Sequence, residues 1–221
     1  MKIPAIRWLA AVVAATVLAA GGYRLGEARS TAGVPRDGSV EVGFLRDMLV
    51  HHEQAVVLAM IVHSRATRVR VRELADDIAT GQQREVGLMT GWLQQWGLPA
   101  STTTPPMTWM GHAVPPPAPG PPDGAQNPGD PDESDPPMPG MATRREVARL
   151  AVTRGPAADL LFCRLMVPHH QGALHMIDEV LRRGHRPEVL TLARQMRTDQ
   201  SRELVLLNDL VAQLSGTAGR R

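Results

Sequence analysis

Cysteine is nearly absent from this 221-residue chain: the single Cys163 cannot close an internal disulfide, so stability has to come from packing or from a bound ion. Aromatic residues are scarce too, at 3%. That scarcity argues against β-sandwiches and barrels, while plentiful Ala, Leu, Val, Arg and 11 Met favour helices. An excess of one charge is lacking as well. With Lys2 and Arg7 of the leader set aside, basic and acidic residues balance at 22 each, which gives no reason to expect a nucleic-acid partner. There is no His-Glu-x-x-His, Walker loop, Gly-x-Ser-x-Gly or Cys-x-x-Cys, so protease, nucleotide and thiol-redox chemistries have no motif.

What is present begins with a leader. Lys2 and Arg7 precede an uncharged, mostly apolar run from Trp8 to Tyr23 that ends in Ala19, Ala20, Gly21 and Gly22, the pattern of an export signal. Residues 1–29 therefore read as a signal peptide or, if retained, an N-terminal membrane anchor, and the rest as an exported, periplasmic or otherwise extracytoplasmic protein.

Sliding the chain on itself by 118 residues aligns Phe44–Gln95 with Phe162–Gln213 without a gap, and about one pair in three is identical. This is an internal duplication. Each copy reads as a helical hairpin. Phe44, Met48, His51, Ala55, Leu58 and Val62 recur at helical spacing, as do Phe162, Met166, His169, Ala173, Met176 and Val180. The second stripes run Val71, Ala75, Ile78, Gln82, Glu85, Met89, Trp92, Trp96 and Val189, Ala193, Met196, Gln200, Glu203, Leu207, Leu210, Leu214. The expected organisation is a first hairpin over 40–97, a linker over 98–143 holding 14 of the 19 prolines, and a short helix plus second hairpin over 144–214. Thr143 with Glu146 forms a candidate capping box for the short helix. Such hairpins close most simply into one all-α, antiparallel four-helix bundle.

Inside these apolar stripes lies a polar layer. Folding each hairpin at its turn sets His51 level with Glu85 and His169 level with Glu203, with Gln82 and Gln200 one turn away and His52 and His170 one row over. Unpaired carboxylates in a core cost several kcal/mol, so the layer needs protons, cationic partners or a metal ion. Three readings follow: a transition-metal site, a metal-free hydrogen-bond network that fixes helix register, or catalysis without metal. Met48, Met166 and Met176 add thioethers on the histidine faces, which favours reduced copper, with the glutamates either ligating or holding the histidine tautomers. Met60, Met89 and Met196 read as core filler. Cys163 reads as a small core hydrophobe. In the linker, Met107, Met110, His112, Met138 and Met141 form a second, weaker set of soft candidates. Arg65, Arg68, Arg70, Arg72, Arg182, Arg183 and Arg186 read as solvated turn charges. No Glu is followed by His three positions later, which disfavours a di-iron oxidase.

The segments Met48-Leu-Val-His-His-Glu-Gln-Ala55, Met138-Pro-Gly-Met141 and Met166-Val-Pro-His-His-Gln-Gly-Ala173 resemble those of the exported bacterial "domain of unknown function 305" family over roughly residues 40 to 214. The resemblance implies a ferritin-like four-helix bundle. Some members bind copper in the periplasm and serve copper tolerance, which implies Met48, His51, His52, Met166, His169, His170 and Met176 as site candidates. Leu58 departs from the family, which often has Met there. The functional expectation is an exported copper chaperone, buffer or tolerance factor. The alternatives are a metal-dependent oxidoreductase with a His/Glu centre and a structural or interaction bundle.

Overall fold

The computed structural model describes residues 33–111 and 138–218, so the leader and His112 lie outside the described residues. Among the described residues there are five α-helices, one 3-10 turn and no strand. All five helices fall in one compact unit, Asp37–Arg221. Helix α1 (Val40–His63) starts at Ser39, whose hydroxyl accepts the Val42 amide at 3.3 Å, with Glu41 in the first turn. Helix α2 (Val69–Gln95) completes the first hairpin. The short helix α3 (Arg144–Val152) carries the expected capping box: Glu146 accepts the Thr143 amide at 2.8 Å while Thr143 accepts the Glu146 amide at 3.2 Å. Helix α4 (Pro156–Arg183) opens with proline in its first turn, where the missing amide costs nothing. Helix α5 (Pro187–Ala218) does the same and closes the second hairpin.

A pair of crossed clamps fixes how the hairpins assemble. Glu41, at the start of α1, accepts the His185 and Arg186 amides at 2.6 and 3.3 Å, in the turn between α4 and α5. Asp159, at the start of α4, accepts the Thr67 amide and hydroxyl and the Arg68 amide at 3.0, 2.8 and 3.2 Å, in the turn between α1 and α2. Each hairpin thus ties off the tip of the other. Helices α1 and α4 therefore run antiparallel against each other, and the two tips lie at opposite ends of the bundle. Helices α2 and α5 form the outer pair and barely touch.

With the tips at opposite ends, the chain must run back along the bundle between α2 and α4, which makes the connection a crossover rather than an up-down-up-down link. Its described parts form a strap over α1 and α4. Arg46 donates to the Pro99 carbonyl at 2.9 Å, Trp109 packs edge-on against Phe44 with ring centroids 5.9 Å apart, and Gln54 exchanges two hydrogen bonds with the Ala142 backbone at 2.9 and 2.7 Å. Buried Trp109, Met110, Met138 and Met141 of the linker join the bundle core. Two apolar clusters occupy the ends of the bundle, one around Phe44, Met48, Met176 and Met196, the other around Ala55, Ile78, Phe162 and Leu207. The polar layer separates them.

Two surface expectations change. Met60 is 66% exposed and fills no core gap, because the 3.6-residue period turns it away from the buried row of Leu58, Ala59 and Val62; Met89 and Met196 are fully buried. Several tip arginines are engaged rather than merely solvated. Arg65 donates to the Ala151 carbonyl, Arg183 to the Trp109 carbonyl, and Arg186 lies 5.1 Å above the Trp96 ring. Among the described residues no helix is long and apolar enough to cross a membrane.

Candidate metal centre

Consecutive histidines on a helix point about 100° apart, so each His-His pair addresses two neighbours at once. His51 faces α4 and meets its own duplicate, His169, with ring centroids 3.9 Å apart and planes tilted by 43°. His52 faces α2, where its Nε2–H donates to Glu85 Oε2 at 2.8 Å. On the other copy the His170 Nε2–H donates to Glu203 Oε2 at 2.6 Å. The expected level of the layer is right, but the glutamates are held by His52 and His170 rather than by His51 and His169. The reason is that α1 and α4 touch across the pseudo-twofold axis, which reserves the inward row for the His51–His169 encounter. All four imidazoles are fully buried.

The remaining nitrogens set the chemistry. His51 Nε2 lies 3.3 Å from the Pro139 carbonyl, which can only accept, so that nitrogen carries the proton. The same logic puts the proton on Nε2 of His52 and His170, opposite carboxylates. Nδ1 of His51, His52 and His170 and both nitrogens of His169 are buried without any hydrogen-bond partner. Burial, reinforced by His52 nearby, pushes His51 down to about 3. Burial and the neighbouring histidines likewise push His169 well below its usual value. Both rings are neutral at physiological pH and keep a lone pair. A buried nitrogen left without a partner costs about 1–3 kcal/mol, so these are positions where a proton donor or a metal ion would be stabilised.

Among the described residues no three His, Cys, Asp or Glu side chains converge on one ion position. Sulfur is the other donor at hand. Met48, Met110, Met138, Met141 and Met176 are all buried in one cluster beside the layer, with Met107 partly buried against it; Met166 lies in the opposite cluster. Cys163 is buried, and burial followed by the charge of Asp159 pushes its thiol up to about 12, so it stays protonated. Between Met138 and Met141 the strap meets α4 backbone to backbone. A Cβ on Gly140 would stand 2.0 Å from the Pro168 carbonyl oxygen, and one on Gly172 would stand 1.9 Å from the Pro139 oxygen. Only glycines permit that approach, and Gly140 also has φ +78.

Sequence reasoning missed three features. The Glu41–Asp159 clamp pair sits at the duplication offset, but the two residues are not identical and precede the aligned block. The strap contact was signalled only by Gly140 and Gly172. Asp47, which accepts from the Met107 amide and Trp109 Nε1 at 2.7 Å each, was hidden in a mixed stripe; its burial outweighs those two bonds and raises its carboxyl above the usual range.

The described residues thus form a clamped, duplicated helical bundle with a buried imidazole layer and a thioether cluster beside it. The chain belongs to the family described as Domain of unknown function (DUF305), whose model matches residues 41–211. A protein of Streptomyces coelicolor described as a secreted DUF305 protein is similar at 37% identity and TM-score 0.68, over 81% of this chain and 96% of that one. A DUF305 fragment of Deinococcus radiodurans is 31% identical with TM-score 0.59, over 79% and 96%. CopM, solved in a Cu(I)-bound form, shares the fold at 22% identity and TM-score 0.56, over 78% and 96%. No curated protein matches the chain.

Proposed function

We propose that this is an exported transition-metal-binding protein, with copper as its most fitting metal, acting as a chaperone, buffer or tolerance factor. The observation that carries the reading is the set of buried, unpartnered imidazole nitrogens beside buried thioethers, with burial holding His51 and His169 neutral. Imidazole with thioether is the donor combination that suits reduced copper. His51 and His169 are the proposed central ligands, with Met48, Met176, Met138 and Met141 supplying sulfur and Met166 approaching from the other side. Met107 and Met110 extend the same cluster, and His112 is a further candidate on the strap. Glu85 and Glu203 are proposed to hold His52 and His170 through their Nε2–H, leaving Nδ1 free, in the manner of carboxylates that orient metal-binding histidines. Bound metal would supply a Lewis acid that accepts the orphaned lone pairs; the chain's own part is to hold them dry and neutral.

Two of the relatives support the wider reading: the Streptomyces coelicolor protein is described as secreted, and CopM has been solved with Cu(I) and with Cu(II). Export through the leader, with anchoring if it is retained, is proposed on the pattern of residues 1–29. The test is elemental analysis of protein isolated from its own export compartment, beside a His51→Ala/His169→Ala variant. The expected result is copper in the first and little in the second. Equal copper in both, or none in either together with an unchanged melting temperature on adding Cu(I), would defeat the reading, since a ligand of the native state must raise it.

A further inference from the structure

We infer that the cleft between α2 and α5 is the port through which a cation reaches and leaves the buried imidazole layer, an inference that rests on the metal reading above. Among the described residues the other faces of the layer are covered. The strap seals the α1–α4 face with backbone packed on backbone at Gly140 and Gly172. Apolar clusters plug both ends of the bundle, and the two intra-hairpin interfaces are tightly packed. Between α2 and α5, however, lies an open cleft of about 280 Å³ at the level of the layer.

Its lining is built for a cation and not for an apolar ligand. Glu85 and Glu203 line it, each using one carboxylate oxygen for its histidine, so that these carboxylates stand between the cleft and His52 or His170. Beside them are Gln82 and Gln200, only 3% and 2% exposed, whose amide oxygens and nitrogens all lack partners. Buried amides without partners in a cleft of this size are oxygen donors left open for a hydrated ion. Asp77 and Asp199 add negative charge against Arg84 and Arg202, leaving four acids to two bases around the opening. An acidic cleft with low-dielectric walls concentrates cations and speeds their association. The port thus offers oxygen donors on the way to nitrogen and sulfur, an order that passes an ion inward from weaker to stronger ligands for a soft metal.

Gly81 lines the same cleft, and a Cβ there meets nothing within 4 Å, so a side chain can start from this position without a clash and Gly81→Trp places an indole at the passage. Gly91, equally unobstructed but outside the cleft, provides the control Gly91→Trp. The experiment mixes the protein with Ag(I), a redox-inert soft cation, and follows tryptophan fluorescence by stopped flow. The phase abolished in His51→Ala/His169→Ala reports the buried layer. In Gly81→Trp that phase should associate and dissociate about tenfold more slowly with an unchanged Kd, since a blocked passage slows both directions equally. Asp77→Asn/Asp199→Asn, which removes two negative charges together with the exposed Asp199–Arg202 ion pair at 3.9 Å, should slow association about two- to fivefold at low salt and flatten its salt dependence. Gly91→Trp should behave as the parent. If the phase is present but Gly81→Trp and the Asn pair leave both rates unaltered, the port is overturned while the metal reading stands. If no phase depends on His51 and His169, both fall together.

Discussion

The two hairpins solve the same problem at the layer and different problems at the strap. His52–Glu85 and His170–Glu203 are near copies, as are Gln82 and Gln200 and the clamps Glu41 and Asp159. At the strap the copies diverge: Gln54 bonds the Ala142 backbone, whereas its counterpart Gly172 makes room for the Pro139 carbonyl. Val50, 47% exposed, is matched by Pro168, on whose carbonyl Gly140 rests. A single strap crossing a twofold axis cannot meet both halves alike. Shared chemistry between the copies, whether identical as at His52 and His170 or carboxylate for carboxylate as at Glu41 and Asp159, marks what both halves build together. Gln54 against Gly172 and Val50 against Pro168 mark where the strap meets each half differently.

The sharpest way to break this contrast is at the strap. Gly140→Ala combines a left-handed φ with a backbone collision and should lose about 3 kcal/mol or more in urea unfolding, while Gln54→Ala, which removes two hydrogen bonds, should lose about 1–2 kcal/mol. Equal losses would mean that the strap docks on both halves in one manner. Next is the layer itself. Glu85→Ala should cost about 2–3 kcal/mol and Glu203→Ala less, because the Glu203 side chain is 19% exposed against 5% for Glu85 and water can replace it. A larger penalty at Glu203 would reverse the order of the two halves.

The clamps come third. Burial alone would raise the Glu41 carboxyl, but the His185 and Arg186 amides, its own amide and the Ser39 hydroxyl outweigh it and hold the group below 4.5. A lowered folded-state value stabilises above the unfolded one, so Glu41→Gln should cost about 1 kcal/mol at neutral pH. That penalty should persist down to about pH 4.5 and shrink as acid titrates the folded-state carboxyl, which paired thermal melts across pH would reveal. Smallest is Leu58→Met, which gives the first half the sulfur that Met176 gives the second. It should change stability by less than about 1 kcal/mol and tighten Ag(I) or Cu(I) binding in a competition titration; no tightening would leave Leu58 outside the site.

The bundle was readable because its causes are local and repeated. The stripes from Phe44 to Val62 and from Phe162 to Val180 are buried throughout, and Thr143 with Glu146 caps its helix as its spacing requires. The existence of the layer was also readable, since His, Gln and Glu at buried periodic positions stand out twice. Which histidine meets which glutamate was not, because height along a helix does not choose between two neighbours set around it. Nor was the strap: its prolines and glycines suggest an extended chain, and nothing in them says that Met138 and Met141 turn inward. The clamp escaped because Glu41 and Asp159 share a role through carboxylate chemistry rather than identity.

The crossed clamps have a consequence for how such a chain can arise and assemble. Residue i of one copy grips j of the other while j's copy is gripped in return, the self-complementary relation of a two-fold dimer interface. A solitary hairpin would leave its own tip amides bare and its own acid idle, so the smallest complete unit is two copies. Joining them covalently turns a concentration-dependent encounter into an intramolecular one. The tether then gains something no symmetric pair could have, a segment free to treat its two halves differently.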